Sequence, residues 1–346
     1  MTNLSLVRSC VALVACAGGC SSNTEEPISD AITLDCPVPG ELPFHLMSHG
    51  FQSSTNSDLV VDNTRNKDEA SDIFGDPNGV QANVYLDDAA APASGPADYQ
   101  GARARTAPDQ GLFSHGLAGE NVSLWFYDGS AWNMLARGQT DANGAYDLPT
   151  PGFVAPNAEP VFSVLEADES CAAHYTYLMP AGSKVIVVDI DGTLTTADSE
   201  LIMQVSDESY VPMMMTAANT MAKAWATKGY PIVYLTARPH VFDVETRAWL
   251  DMLEFPKGPL ITELGGETAD VYKTIWLRRM IDDFGWTIFA AYGNANTDIT
   301  AYANVAVPGD HTFIIGGLGG GSTVAIPNSD YTDHIATFIA AQPDNN

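Results

Sequence analysis

Two hydrophobic rhythms divide the chain. In NVSLWFYDGSAWNMLARGQTDANGAYDLP, residues 121–149, Val122, Leu124 and Phe126 alternate with Ser123, Trp125 and Tyr127. A period of two marks extended strands, whose side chains point to opposite faces in turn. Asp128-Gly129 and Asn143-Gly144 stand where such strands reverse. Residues 112–180 are therefore expected to form a small antiparallel β-sandwich. After Pro180-Ala181-Gly182 the rhythm changes. Short apolar runs (VIVVDI, PIVYLTA, PLITEL, TIFAAYG, HTFIIGG) alternate with helical stretches: VPMMMTAANTMAKAWATKG capped at Gly229, VFDVETRAWLDML, VYKTIWLRRMIDDFG and TDITAYANV. That alternation predicts an α/β domain over residues 181–346, a doubly wound parallel sheet with helices on both faces. Ligands of such a sheet bind beyond the carboxyl ends of its strands.

The amino-terminal third has neither rhythm. Residues 1–19 read as a signal segment: Arg8 is followed by the apolar run Ser9–Ala17, too short to span a bilayer, and then by Gly18-Gly19-Cys20. This resembles the lipobox of a bacterial lipoprotein, which implies export, a lipid on Cys20 and anchorage to a bacterial membrane. Residues 20–111 are a tether and an irregular region. It ends in the Ala/Pro/Gly-rich stretch Asp87–Gly111, read as a linker. His45 and His49 could share a helix face and a metal, although no Cys or Glu cluster lies near them. Cys36 and Cys171 could pair in an exported chain or stay separately buried. In the 112–180 segment, TDxNGxY resembles immunoglobulin-like or transthyretin-like modules. Its Asp141 and Asn143 could ligate calcium, but a turn is the simpler reading.

Charge narrows the field. The chain carries 43 acidic against 15 basic residues, a net −28, and loss of the signal segment with Arg8 makes it more negative. Such a surface repels nucleic acid, which is excluded as a partner, and it also opposes anionic lipid headgroups.

Against that background, KVIVVDIDGTLTTADSE (184–200) ends a buried strand in two aspartates. Both fall at the edge where a doubly wound sheet does chemistry. Thr236, Lys273, Asn294 and Asp298 are brought to the same edge by later elements. The set suits transfer of a phosphoryl group to a carboxylate. Asp189 attacks phosphorus, and Asp191 protonates the leaving alcohol and later deprotonates water. Gly192 lets backbone amides, with Thr193, face the phosphate. Lys273 and a Mg²⁺ held by Asp189, Asp298 and the Asp191 carbonyl offset the phosphate's charge. Thr236 adds a neutral donor to a phosphoryl oxygen, Asn294 is read as binding substrate, and Arg238 and His240 either line the phosphate or leaving group or stand on the surface. An EF-hand reading of the same stretch, with Glu200 at its twelfth position, fails because Leu194 stands where a glycine is needed and the lead-in is strand. Trp225, Trp249, Trp276 and Met213–Met215 are read as core.

DIDGT, the strand-end threonine, the isolated lysine and the late acidic motif together resemble the haloacid dehalogenase superfamily of phosphatases. Within it, DIDGTLTTADSE, YLTARPHVFDVETRAWL, VYKTIWL and AAYGNANTD look like the catalytic domain of lipin, the Mg²⁺-dependent phosphatidate phosphatases. The resemblance spans Lys184 to Gly317. It implies a phosphatase that passes through an aspartyl-phosphate and acts on a lipid phosphomonoester such as phosphatidate. Two alternatives stand beside it: a soluble phosphomonoester as substrate, which the acidic surface favours, and a non-catalytic phosphatidate-binding module, since related domains that have lost catalytic aspartates only recognise that lipid. The short segment Thr195–Val211 leaves no room for a large cap over the site.

Overall fold

The computed structural model describes residues 52, 103–105, 114–142, 146, 148, 160–167, 171–175, 177, 179, 181–206, 210–239, 242–263 and 267–345. The expectations at Cys20, Cys36, His45, His49, Asn143 and His240, and for the signal segment and tether, lie outside them, as does the side chain of Cys171.

In the first part, β1 (Arg103–Arg105) pairs antiparallel with β2 (Ser114–Gly116). A four-stranded antiparallel sheet follows, made of β3 (Asn121–Tyr127), β4 (Trp132–Gln139), β5 (Pro160–Leu165) and β6 (Cys171–Tyr175) in the order β4-β3-β5-β6. β3 was expected to bury one face, yet Val122 through Phe126 are all buried. It is a central strand, and Ser123 tolerates burial because its hydroxyl accepts the Trp125 indole N–H at 2.9 Å. The expected turn at Asp128-Gly129 is present. The Asp128 carboxylate accepts the backbone N–H groups of Ser130 and Ala131, and Gly129 adopts φ +92.

The second part is the expected α/β domain. Its strands are β7 (Lys184–Val188), β8 (Ile232–Pro239), β9 (Leu260–Glu263), β10 (Thr287–Gly293), β11 (Thr312–Ile315) and β12 (Val324–Ile326). They form one sheet in the order β12-β11-β10-β7-β8-β9, with every neighbouring pair parallel. The helices are α1 (Glu200–Ser206), α2 (Ala218–Thr227), α3 (Asp243–Met252), α4 (Ala269–Asp282), α5 (Asn296–Asn304) and the short α6 (Thr332–His334), which continues as a π-turn over Ile335–Ile339.

The residues of β7 alternate between two apolar layers. Ile186 and Val188 pack with Met221, Trp225 and Trp249 of α2 and α3, while Val185 and Val187 pack with Leu277, Met280 and Tyr302 of α4 and α5. In α2 the buried positions are Ala218, Met221, Ala222 and Trp225, a stripe at helical spacing. The helix starts seven residues later than the pattern suggested. Val211–Thr216 instead runs outside the helix, Met214 bridges Thr195, and Ala217 turns through φ 59 into the helix, as Pro212 and the absence of a helix cap favour. Met215 is core as expected, whereas Met213 is exposed.

Strand order reverses at β7: the chain proceeds through β8 and β9 on one side, then crosses through α4 to β10, β11 and β12 on the other. The crevice between the carboxyl ends of β7 and β10 is therefore the switch point, where an open parallel sheet places its ligand.

Candidate active site

Asp189 follows the last residue of β7 directly, and its N–H donates to the Tyr292 carbonyl of β10 at 3.0 Å. The chain then folds into a tight loop in which the N–H groups of Thr193, Leu194 and Thr195 converge on the Ile190 carbonyl. Gly192 has φ +67, and a Cβ there would lie 2.0 Å from the Asn294 amide nitrogen. Only glycine fits that left-handed turn against β10. Far along the chain, Tyr331 donates to the Thr193 carbonyl at 3.1 Å, a brace that no sequence signal announced.

Lys273, from the second turn of α4, is buried with its ammonium between two carboxylates, 2.6 Å from Asp189 Oδ1 and 2.5 Å from Asp298 Oδ1. The other oxygen of Asp189 accepts the Thr193 hydroxyl at 2.9 Å, and that hydroxyl is also 3.4 Å from Asn294 Oδ1. The other oxygen of Asp298 accepts the Asn294 and Ala295 N–H groups, each at 3.0 Å, at the start of α5. A Cβ on Gly293 would meet the Asp298 side chain at 2.5 Å, so this glycine lets the carboxylate turn inward.

Two buried carboxylates thus share one lysine, leaving a net negative charge at the end of the sheet. Burial pushes the Asp189 carboxyl up, Lys273 opposes it, and Asp298 adds to it, with the result at about 7. For Lys273, burial alone would lower the ammonium, but the two carboxylates outweigh it and hold it above its ordinary value.

Asp191 points elsewhere. Arg238, two residues past the expected Thr236, is wholly buried and grips it: Nε lies 3.1 and 3.0 Å from the two carboxylate oxygens and Nη2 lies 2.8 Å from Oδ1. Arg238 Nη1 also donates to Thr246 Oγ1 at 3.0 Å, and that hydroxyl donates to the Phe242 carbonyl at 2.7 Å. Sequence reasoning left Arg238 between lining the phosphate or leaving group and a surface role; the structure buries it and turns its guanidinium onto Asp191, whose side chain keeps 22% of its surface exposed. Thr236 is buried on β8, two residues past Tyr234, which pairs with Val188, and its hydroxyl accepts the Arg238 N–H at 3.2 Å.

Whether these groups suit a divalent cation turns on donor type and charge. Asp189 and Asp298 are hard oxygen donors, each with lone pairs left over, and one lysine does not balance them. The Asp191 carbonyl lies in the same loop. A Mg²⁺ fits that set. The carboxylate of Asp191 is committed to Arg238, and among the described residues no group of three or more His, Cys, Asp or Glu side chains is arranged as a metal cluster.

Sequence reasoning did not assign Glu200. It is buried at the first turn of α1 and accepts from Thr196 Oγ1 at 2.7 Å, Tyr210 Oη at 2.6 Å and the Met213 N–H at 2.8 Å. This carboxylate closes Thr195–Met215 into a small flap that leaves the site loop and returns through the Thr195–Met214 bridge.

An α/β domain with paired aspartates at its switch point is the class that fold and site define. Residues 186–316 match the family described as PITM 1-3, LNS2 domain. Curated relatives include protein retinal degeneration B of Drosophila melanogaster, 29% identical over 60% of this chain and 16% of its own length. They also include membrane-associated phosphatidylinositol transfer protein 3 of Homo sapiens, 30% identical over 58% of this chain and 20% of its own. The chain thus spans about a fifth or less of these relatives. Among solved structures, a chain of the Pnkp1/Rnl/Hen1 complex aligns over 38% of this chain and 45% of its own at 15% identity, with a TM-score of 0.32, too low to carry an argument. Among the described residues no helix is long and apolar enough to cross a membrane.

Proposed function

We propose that the α/β domain is a Mg²⁺-dependent phosphatase acting through an aspartyl-phosphate, with a lipid phosphomonoester such as phosphatidate as substrate. The observation that carries this reading is the geometry of Asp189: a carboxylate at the switch point, held at one oxygen by Lys273 and at the other by Thr193, with Asp191 two residues on. When bound, Mg²⁺ supplies charge that the buried Asp189–Lys273–Asp298 group lacks. The protein's own groups do the rest. Asp189 attacks phosphorus, a P–O bond forms and the ester P–O bond breaks. Asp191, positioned by Arg238, has to enter this step carrying a proton on one oxygen, and it gives that proton to the departing alkoxide. Water then attacks the acyl-phosphate, Asp191 takes its proton, and inorganic phosphate leaves with Asp189 restored. Lys273 stays protonated throughout and offsets charge on the transferring group.

The name of the human relative supports a phospholipid setting, since it is called a membrane-associated phosphatidylinositol transfer protein. The same name favours a second reading, a module that binds a phosphorylated lipid without hydrolysing it. Membrane attachment through a lipid on Cys20 belongs to the proposal and rests on the sequence at residues 8–20. The test is phosphate release by the full chain with Mg²⁺ from phosphatidate in mixed micelles and from a soluble aryl phosphate. Release is expected from phosphatidate, and Asp189→Asn should lower kcat by about a thousandfold or more. Release from the aryl phosphate alone would replace the substrate. Binding of phosphatidate with no release from either would leave the second reading.

A further inference from the structure

We propose that the carboxyl edge of the parallel sheet docks on a lipid bilayer through the apolar outer side of the flap and its neighbours, in a manner that needs no basic residues. The proposal rests on the reading of the site as one that takes a phosphorylated lipid, and adds which surface meets the membrane and by what force. Among the described residues ten large apolar side chains stand more than a third exposed. Six of them, Ile202, Met203, Val211, Met213, Val271 and Leu318, lie at the edge that bears Asp189, with exposures between 39% and 62%.

Topology fixes that placement. All six strands run parallel, so every segment leaving a strand's carboxyl end starts at this edge. Ile202, Met203, Val211 and Met213 belong to the flap that follows β7, and the flap begins against the site: Asp198 Oδ1 would lie 2.9 Å from a Cβ on Gly192. Leu318 stands three residues past β11 in the run GGLGGG. Val271 is in the first turn of α4, two residues before the lysine that reaches Asp189. Single exposed apolar residues need no explanation, but a set gathered from three separate segments that leave one edge of the sheet does.

Chemistry selects a bilayer over a protein partner. The six are aliphatic or methionine, with none of the Trp, Tyr or Arg anchors that dominate protein interfaces. A protein seated on this edge would close the site, whereas a bilayer presents the phosphate to it while the acyl chains stay in lipid. Residues 195–217 contain no Lys, Arg or His and include Asp198, Glu200, Asp207 and Glu208, on a chain of net charge −28. Coulombic attraction to anionic lipid is therefore absent, and the contact must be apolar.

The test uses the full chain carrying Cys20→Ser, so that no lipid on that residue contributes, with sucrose-loaded phosphatidylcholine vesicles free of phosphomonoester. The parent should sediment with them. Ile202→Gln/Met213→Gln should weaken partition about tenfold, and Met134→Gln, an exposed methionine of the antiparallel sheet, should not. Phosphatidylserine in the vesicles should weaken binding and salt should restore it. No binding by the parent, equal binding by the double variant, or tighter binding to phosphatidylserine would each overturn the proposal. So would self-association of the parent that the double variant abolishes, which would make a second copy the occupant. Turnover of the soluble aryl phosphate is read separately. Docking without turnover sinks the phosphatase reading alone, and turnover without docking sinks this one alone.

Discussion

Arg238 illustrates what a single side chain decides. A guanidinium with almost no exposed surface is costly unless its donors are engaged, and Arg238 engages them on Asp191 and Thr246. Two N–H groups facing one carboxylate fix the plane and distance of Asp191, the property a general acid needs to be in reach at the moment of bond cleavage. Arg238 is thus a positioning residue, acting through Asp191. Arg238→Met fills much of the same volume and leaves Asp191 able to turn to solvent, so the fold should persist with melting lowered by only a few degrees. Turnover should fall about a hundredfold with KM little changed, and Arg238→Lys should recover only part, because an ammonium cannot hold both oxygens at once. Steady-state kinetics beside thermal melting separates these outcomes; equal loss of folding and turnover would mean the arginine is structural only.

The flap makes the same case for an element. Its turn is held by one carboxylate with three donors, and burial, which raises the Glu200 pKa, is outweighed by the hydrogen bonds from Tyr210, Met213 and Thr196, leaving it lowered. A carboxyl whose folded pKa is depressed stabilises the fold above its unfolded value, here 4.5, and that contribution fades as pH falls through the lower folded one. Glu200→Ala should therefore cost about 2 kcal/mol at neutral pH, less in acid, and open Thr195–Met215 to limited proteolysis before the rest of the chain yields. How far elements were legible in the sequence follows from the same physics. β7, β8, β10 and α2 announce themselves because both layers of a parallel sheet demand apolar residues and because α2 carries a stripe at helical spacing. The flap helix is hidden in a polar stretch whose order comes from tertiary hydrogen bonds to Glu200, and the non-helical Val211–Thr216 looks helical in composition until Met214 pairs with Thr195. Asp189, Lys273 and Asp298 were legible as a group because each follows a strand directly or lies in the first two turns of a helix at that edge; the grip of Arg238 on Asp191 joins residues 47 apart and leaves no local pattern.

At the scale of the whole molecule, one hydrogen-bonded chain ties the carboxyl-terminal turn to the site. The Trp225 indole N–H donates to the Tyr292 hydroxyl at 2.7 Å, which leaves that hydroxyl's own hydrogen for His334 Nε2, 2.8 Å away, in the tautomer that carries its hydrogen on Nδ1. The Tyr292 carbonyl in turn accepts the Asp189 N–H and the Tyr302 hydroxyl. His334 is packed among Phe313, Phe338 and Tyr292, and burial lowers its pKa to about 4. An unfolded histidine titrates near 6.5, so between 6.5 and 4 the unfolded chain binds the proton that the folded chain refuses. Stability supplied by neutral His334 is complete above 6.5 and is lost as pH falls toward 4, by at most about 3 kcal/mol for a shift of that size. His334→Phe keeps the ring contacts and cannot be protonated, while Tyr292 keeps its bond from Trp225. Its stability at pH 7.5 should be lower by about 1 kcal/mol for the lost hydrogen bond, and its loss between pH 7 and pH 4.5 should be smaller than that of the parent. Denaturant midpoints at the two pH values measure both terms. Parallel pH curves for parent and variant would show that folding leaves the His334 pKa where it stands in the unfolded chain, and a smaller loss in the parent than in the variant would show that the folded chain favours the protonated ring; either result overturns the assignment of His334 as a buried neutral acceptor.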